Sequence, residues 1–324
     1  MSSPSAPAEQ GSSAPPDVAV VVVSYDCEEF IGRCLDSVAA TTAESTVELV
    51  VADNASHDDS VGAVRQSHPE ALIIEMGANT GFARAVNAGV SATTGRNVLL
   101  LNPDAEVRPG AIDALVRELD GRPEVGVVAP RLLNPDGTDQ GTARSFPTPA
   151  AAILGRRSPL TRLFPHNRWS RRYLVGREHD TERAFDIDWV SGACLMTRRT
   201  TAEELGGLDE GFFMHFEDAD FCHRVKDTGR SVTCVPAAEV VHAEGGSRRG
   251  WPTSQVVHFH YGAYRYWTKH HAPQSWNPLR LVAAAALGVR AAGVIALNRR
   301  RNRSVAAPQG HIRPPKLITG AVEA

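Results

Sequence analysis

The chain has 324 residues, of which 42% are hydrophobic and 22% charged, and a formal net charge of −3. Those values fit an ordinary soluble globular protein of about two domains and exclude a collagen-like or mostly disordered chain. A near-neutral balance also gives no electrostatic reason to expect nucleic acid as a partner.

Residues 1–17 are rich in Ser, Pro, Ala and Gly and have almost nothing to bury, so they are expected to be disordered. They have no basic start and no apolar run, so they do not read as a signal peptide, and the expected location is the cytoplasmic side. Five cysteines (Cys27, Cys34, Cys194, Cys222 and Cys234) form no CxxC pair. Reduced thiols are therefore expected, not a disulfide framework or a zinc knuckle.

Short β-branched runs then alternate with helical patterns. Strands are predicted at Val18–Val23, Glu48–Ala52, Leu72–Ile74, Val98–Leu101 and Val125–Ala129. Between them, Phe30, Ile31, Cys34, Leu35 and Val38 fall on one helical face. Phe82, Ala85, Val86, Gly89 and Val90 form a second such stripe, and Ile112, Leu115, Val116 and Leu119 a third. Pro109 stands where that third helix should start. This alternation predicts an α/β fold with a mostly parallel central sheet flanked by helices. Ligands of such sheets bind beyond the carboxyl ends of the strands.

Four successive strand ends carry polar or acidic groups. They are Ser24-Tyr25-Asp26, Asp53-Asn54-Ala55-Ser56, Asn79-Thr80-Gly81 and Asn102-Pro103-Asp104. Any one of them could be an Asx turn or helix cap, and Asn54 and Ser56 are read as caps. Asp53 and Asp104 differ because each follows a buried strand, where a carboxylate costs several kcal/mol unless a donor, metal or ligand meets it. The GxGxxG turn of a dinucleotide-binding domain is absent after the first strand, and so is a Walker loop. A diphosphate would then be held through a divalent metal on oxygen ligands, Mg2+ or Mn2+, with Asp104 the candidate ligand.

In the second half, Trp189–Met196 reads as a turn entering a buried strand. Glu217, Asp218 and Asp220 follow four bulky apolar residues, and a helix starting near Glu217 would place these acids at its positive end. His242 follows Val240-Val241 at another strand end.

The segments VVVVSYDCEEF, VVADNASHDDS, NTGFARAVNAG, LLLNPDAEV, WVSGACLM, FFMHFEDADFCHR and VVHAEGGS occur in this order over roughly residues 18–275. Together they resemble the family-2 inverting glycosyltransferases of the GT-A fold. Within that family the chain looks like actinobacterial rhamnosyltransferases acting on decaprenyl-diphospho-GlcNAc. The resemblance implies that Ser24 and Tyr25 cradle the base and ribose of the nucleotide-sugar donor and that Asp53 bonds the pyrimidine. Asn79 and Asn102 are counted with this donor-binding set. Asn102-Pro103-Asp104 stands where the family usually has Asp-x-Asp, which makes Asp104 a metal ligand, with His242 as the additional one. Asp218 resembles the catalytic base, and Trp189 and Glu217 would line the acceptor and sugar pocket.

The resemblance divides the chain into residues 1–17, a GT-A domain over 18–275 and a tail over 276–324. A nucleotide-binding half (18–130) and an acceptor-binding half (131–275) make up the domain. The implied reaction moves L-rhamnose from dTDP-rhamnose onto a polyprenyl-diphosphate-linked GlcNAc acceptor. The alternatives are a family-2 transferase using UDP-galactofuranose or UDP-GlcNAc, and a non-catalytic scaffold docked on the membrane. Retention of Asp53, Asp104, Asp218 and His242 together argues against the scaffold.

Two basic segments bear on the acceptor. Between Gly155 and Arg183 there are eight arginines, no lysine and three acids, and such guanidinium forks suit an anionic lipid diphosphate. Residues 281–297 are apolar except for Arg290, and six basic residues follow between 299 and 316. Seventeen helical residues reach only about 25 Å, short of a hydrocarbon core of roughly 30 Å. The tail is therefore expected to lie on the cytoplasmic face of the membrane, the inner membrane surface, without spanning it, with a helix packed on the catalytic domain as the alternative.

Overall fold

The structure is a computed structural model that describes residues 14–142, 144–147, 183–243 and 252–305. The arginine-rich stretch up to 182 and the tail beyond 305 lie outside the described residues.

One nine-stranded sheet runs through the molecule in the order β3-β2-β1-β4-β8-β6-β9-β5, with β7 also paired to β9. Its first half is the predicted one: β1 (Val18–Ser24), β2 (Val47–Asp53), β3 (Leu72–Glu75) and β4 (Asn97–Leu101) are all parallel. The remainder is mixed. β8 (Cys194–Arg198) runs antiparallel between β4 and β6 (Val125–Leu133), and β6 pairs parallel with β9 (Ser231–His242). The short strands β5 (Ala105–Val107) and β7 (Phe185–Ile187) lie antiparallel to β9.

The alternation of side chains along β1 shows why the sheet is covered on both faces. Val18, Val20 and Val22 enter one apolar cluster with Leu35 of α1 (Glu28–Thr41), Val64 of α2 (Ser60–Ser67), and Leu115 and Leu119 of α4 (Ala111–Gly121). Val21 and Val23 enter the other, with Val86 of α3 (Phe82–Ser91) and Phe221 and Val225 of α6 (Glu217–Asp227). A short helix α5 (Arg199–Glu204) follows β8. All five cysteines are free and buried.

The amino-terminal boundary falls earlier than expected. Asp17 accepts hydrogen bonds from Thr46 and pairs with Arg96 at 2.9 Å, so it belongs to the start of β1 and not to a loose segment.

Two helices close the described chain. α7 (Thr253–His270) lies on α6, tied by the fully buried Asp220, whose carboxylate meets Arg224, Lys269 and His270, each at 2.8 Å. α8 (Leu279–Val305) runs back along α7 as an antiparallel hairpin. Arg290 donates to His260 Nε2 at 2.7 Å and sits over the Phe259 ring. One face of α8 is open: Leu281, Val282, Val289 and Leu297 are all exposed. Its apolar stretch, Leu279–Arg299, has 21 residues and not 17. At about 31 Å it is long enough to cross a bilayer, so length alone no longer excludes crossing.

Candidate active site

The strand order reverses direction at β1, which has β2 on one side and β4 on the other. A crevice at the carboxyl ends is expected at such a point, and the sequence-predicted residues gather along that edge.

Ser24 ends β1 opposite Asp53 at the end of β2. Asp53 is buried, and both of its oxygens are held by Ser56, through the backbone N–H at 3.0 Å and the hydroxyl at 2.5 Å. Ser56 is thus no helix cap; it aims the carboxylate. Ser24 is fully buried, its hydroxyl lying 3.3 Å from both Ser56 Oγ and Cys27 Sγ. Tyr25 is half-buried and meets His57 edge-on. Asn54, also read as a cap, ties two loops together. It donates to Gly81 O and accepts from Thr80 N and Oγ1. Asn79 accepts from Gly81 N within that same loop.

Gly81 permits the next contact. Its φ is +88°, and a Cβ there would lie 2.5 Å from Phe213 O. The bare backbone lets the Phe82 N–H donate to that carbonyl at 2.8 Å, which joins the β3–α3 loop to the loop before α6.

Asp104 and His242 come together from distant parts of the chain because β5 pairs with β9, Ala105 opposite His242. His242 Nε2 is 3.2 Å from Asp104 Oδ1 and 3.3 Å from the Asn102 amide nitrogen. A carboxylate oxygen and an imidazole nitrogen this close suit a shared cation. Neighbouring ligands on an octahedral ion with bonds of about 2.1 Å stand about 3.0 Å apart. The donor set therefore fits a divalent metal.

The acid pair opens α6. Phe216 and the preceding His215 both have positive φ, at 73° and 72°, so a left-handed turn delivers the helix start into the site. Asp218 is half-buried, with one oxygen accepting from Gly192 N at 2.9 Å and the other from Ala219 N at 2.7 Å. Burial pushes its carboxyl above the ordinary range, against the pull of these donors and of Arg144. Glu217 is buried, and its Oε2 has no hydrogen-bond partner. Burial first, and the Asp218 charge second, raise it well above the usual carboxylate range. One acid of the pair is thus biased to hold a proton while its neighbour carries the charge.

The two groups face each other across the start of β8. Ala193 O accepts from Asn102 N, and the adjacent Gly192 N–H donates to Asp218. Trp189 is different. It is buried in the core with its indole N–H given to Ser145 O, and Arg144 stacks over its ring. Its polar edge is spent on the fold. Asp220, grouped in the sequence with the other two acids, is the anchor of α7.

Another set of possible ligands, His223, Asp227 and His270, lies between α6 and α7. Its histidine rings stack nearly parallel at 3.9 Å, so their in-plane lone pairs do not converge on one ion. Sequence reasoning missed Gln140, which touches His242, and Gly192, which touches Asp218. Gln140 carries no local signal, and Gly192, though inside the WVSGACLM segment, acts through a contact made only by the tertiary fold.

The mixed sheet flanked by helices, with a carboxylate–histidine pair and a raised acid pair near the carboxyl ends of its strands, is that of a glycosyltransferase of the GT-A type. The chain matches the Glycosyl transferase family 2 model over residues 19–206 and belongs to that family. It is 31% identical to an N-acetylglucosaminyl-diphospho-decaprenol L-rhamnosyltransferase of Mycobacterium tuberculosis, over 88% of this chain and 94% of that protein. Among solved structures, it is similar to a mannosyltransferase from Pyrobaculum calidifontis in complex with GDP-Man and Mn2+. That similarity has a TM-score of 0.52 at 20% identity and covers 92% of this chain and 84% of that one. GalNAc-T7 with UDP, GalNAc and Mn2+ gives a TM-score of 0.55 at 15% identity, over 79% of this chain and 50% of that one. At these identities the two structures speak to the fold.

Proposed function

We propose that this glycosyltransferase moves L-rhamnose from dTDP-rhamnose onto a polyprenyl-diphosphate-linked GlcNAc acceptor at the cytoplasmic face of the membrane. The observation that carries the reading is the 31% identity, sustained over nearly the full length of both chains, to the mycobacterial rhamnosyltransferase. The 18–130 half binds the donor, with Asp53 toward the pyrimidine and Ser24, Tyr25, Asn79 and Asn102 around the nucleoside and diphosphate. The 131–275 half binds the acceptor. Asp104 and His242 hold a divalent ion, and the imidazole nitrogen favours Mn2+ over the harder Mg2+. When bound, that ion neutralises charge on the diphosphate.

Transfer is a single displacement with inversion. The acceptor oxygen forms a bond to the anomeric carbon as the bond from that carbon to the diphosphate oxygen breaks. Asp218 takes the acceptor hydroxyl proton, and dTDP leaves with the bonding pair. The Gly192 and Ala219 N–H groups fix the carboxylate in place, so little reorganisation is needed. Glu217, held neutral beside it, keeps a second negative charge out of the pocket.

The α7–α8 hairpin favours lying on the membrane over spanning it. α7 is locked to the catalytic body through Asp209 and Asp220, and α8 is stitched to α7 through Arg290 and His260. The exposed aliphatic face of α8 then rests on lipid, with Arg299 near the headgroups.

The donor is tested by thermal protection and transfer with dTDP-rhamnose, UDP-galactofuranose and UDP-GlcNAc against a polyprenyl-diphosphate GlcNAc acceptor. Protection and transfer with dTDP-rhamnose are expected. Protection by a UDP-sugar alone would replace the donor assignment.

A further inference from the structure

We infer that Gln140 is the positioning residue that prepares His242 to hold the metal ion. This rests on the reading of Asp104 and His242 as the metal pair, and it adds a residue outside the motifs around the site.

Gln140 is buried in the loop that follows β6. That loop is built to hold it. Its backbone N–H donates to Leu132 O, and Leu132 N–H is answered two residues further on by Thr142 Oγ1. A turn from Asn134 to Gly137 closes the loop. The Gln140 side chain then grips His242 at two points. Its Nε2 donates to the His242 carbonyl at 2.5 Å, and its Oε1 lies 3.0 Å from His242 Nδ1.

The first contact decides the second. A carbonyl oxygen can only accept, so the amide nitrogen of Gln140 must face it, which turns Oε1 toward the ring. Oε1 can also only accept, so Nδ1 carries the proton. In the neutral ring Nε2 is then a bare lone pair, and the Asn102 amide accordingly approaches it as a donor at 3.3 Å. Asp104 Oδ1 faces the same lone pair at 3.2 Å. Two acceptors held against each other attract a cation. Gln140 thus holds the ring in the tautomer and rotation that aim Nε2 at Asp104. An isolated imidazole would have to select that arrangement when the metal arrives.

The test uses the full chain with Mn2+ as the probe, comparing wild type, His242→Ala, Gln140→Leu and Gln140→Glu for Mn2+ affinity by titration calorimetry. Nitrogen-15 NMR reports the tautomer of His242. In the neutral ring of the wild type, Nδ1 should be protonated and Nε2 bare. Gln140→Leu fills similar volume without an acceptor and should weaken Mn2+ binding by about 10–100-fold. Gln140→Glu keeps an acceptor for Nδ1–H but loses the donor to the His242 carbonyl, so it should weaken Mn2+ binding less than Gln140→Leu does. If Gln140→Leu does not fold, the wild-type NMR signature and the glutamate variant still decide. An Nε2-protonated ring in the wild type, or full affinity in Gln140→Leu where His242→Ala has lost it, overturns the role of Gln140 alone. Affinity unchanged in His242→Ala, or no Mn2+ binding by the wild type, removes the metal reading and this inference with it.

Discussion

At the scale of single residues, Asp218 carries the sharpest expectation. It is the acid with both oxygens fixed by backbone N–H groups, at the start of α6 and across β8 from Asp104. Asp218→Asn preserves shape but cannot take a proton, so donor protection should survive while transfer falls by about 10²–10⁴-fold. Near-normal turnover would exclude Asp218 as the base. The pH profile follows from the direction of its shift. Burial raises its carboxyl, and a base must be ionised to act. The rate should therefore fall as pH drops through an apparent value above the ordinary carboxylate range, a value that belongs to the Glu217–Asp218 pair. An acid limb of kcat/KM at or below about pH 4 would contradict this. The acid pair was visible in the sequence as a local pattern after a bulky apolar run, and the family resemblance singled out Asp218 within it. Its orientation was not visible, since Gly192 lies 26 positions away.

At the scale of elements, α7 joins the catalytic body to α8. Asp220 is fully buried and bonded to Arg224, Lys269 and His270. Asp220→Ala removes the buried anion that Arg224, Lys269 and His270 share, and breaking such a buried pair typically costs about 3–5 kcal/mol. A fall in Tm of several degrees is expected from a thermal melt, and an unchanged Tm would show that α7 is held by apolar packing alone. The α8 surface makes a separate prediction. Leu281 is 77% exposed and Val289 76%, and neither contributes to the buried core. Leu281→Glu with Val289→Glu, and truncation after Asn277, should each weaken binding to anionic vesicles while leaving the α6–α7 ties intact. Vesicle sedimentation at low and high salt separates the two contributions. The tail's basic residues should act mainly at low salt, and the aliphatic face at both. Undiminished sedimentation of the truncated protein would sink the membrane reading of α8.

At the scale of the whole molecule, one continuous sheet carries candidate residues from both halves of the chain. β8 comes from the second half of the chain and inserts between β4 and β6 of the first. Its amino-terminal approach, Gly192-Ala193, bonds Asn102 on one side and Asp218 on the other. The approach to β8 therefore lies between the Asp104–His242 pair and the Glu217–Asp218 pair. This insertion is also why the sheet is mixed where the alternating pattern suggested mostly parallel strands. A strand read from its own residues carries no sign of direction, and only its neighbours decide.

Local chemistry alone pointed to the α/β class and marked the polar strand ends, with Asp53 and Asp104, as candidates, while the role proposed for Asp218 came from the family resemblance. β-branched runs, helical stripes and polar residues at strand ends are all written within a few positions of one another. Only the tertiary structure decided which of these groups meet. Asp104 reaches His242 because Ala105 registers opposite it across β5 and β9. Trp189 turned inward, because its indole found Ser145 and the core. Gln140 became visible only as the partner of His242, 102 positions away. Short-range preferences set each element, whereas the register between elements is set by packing the whole sheet, and no local window of sequence contains that information.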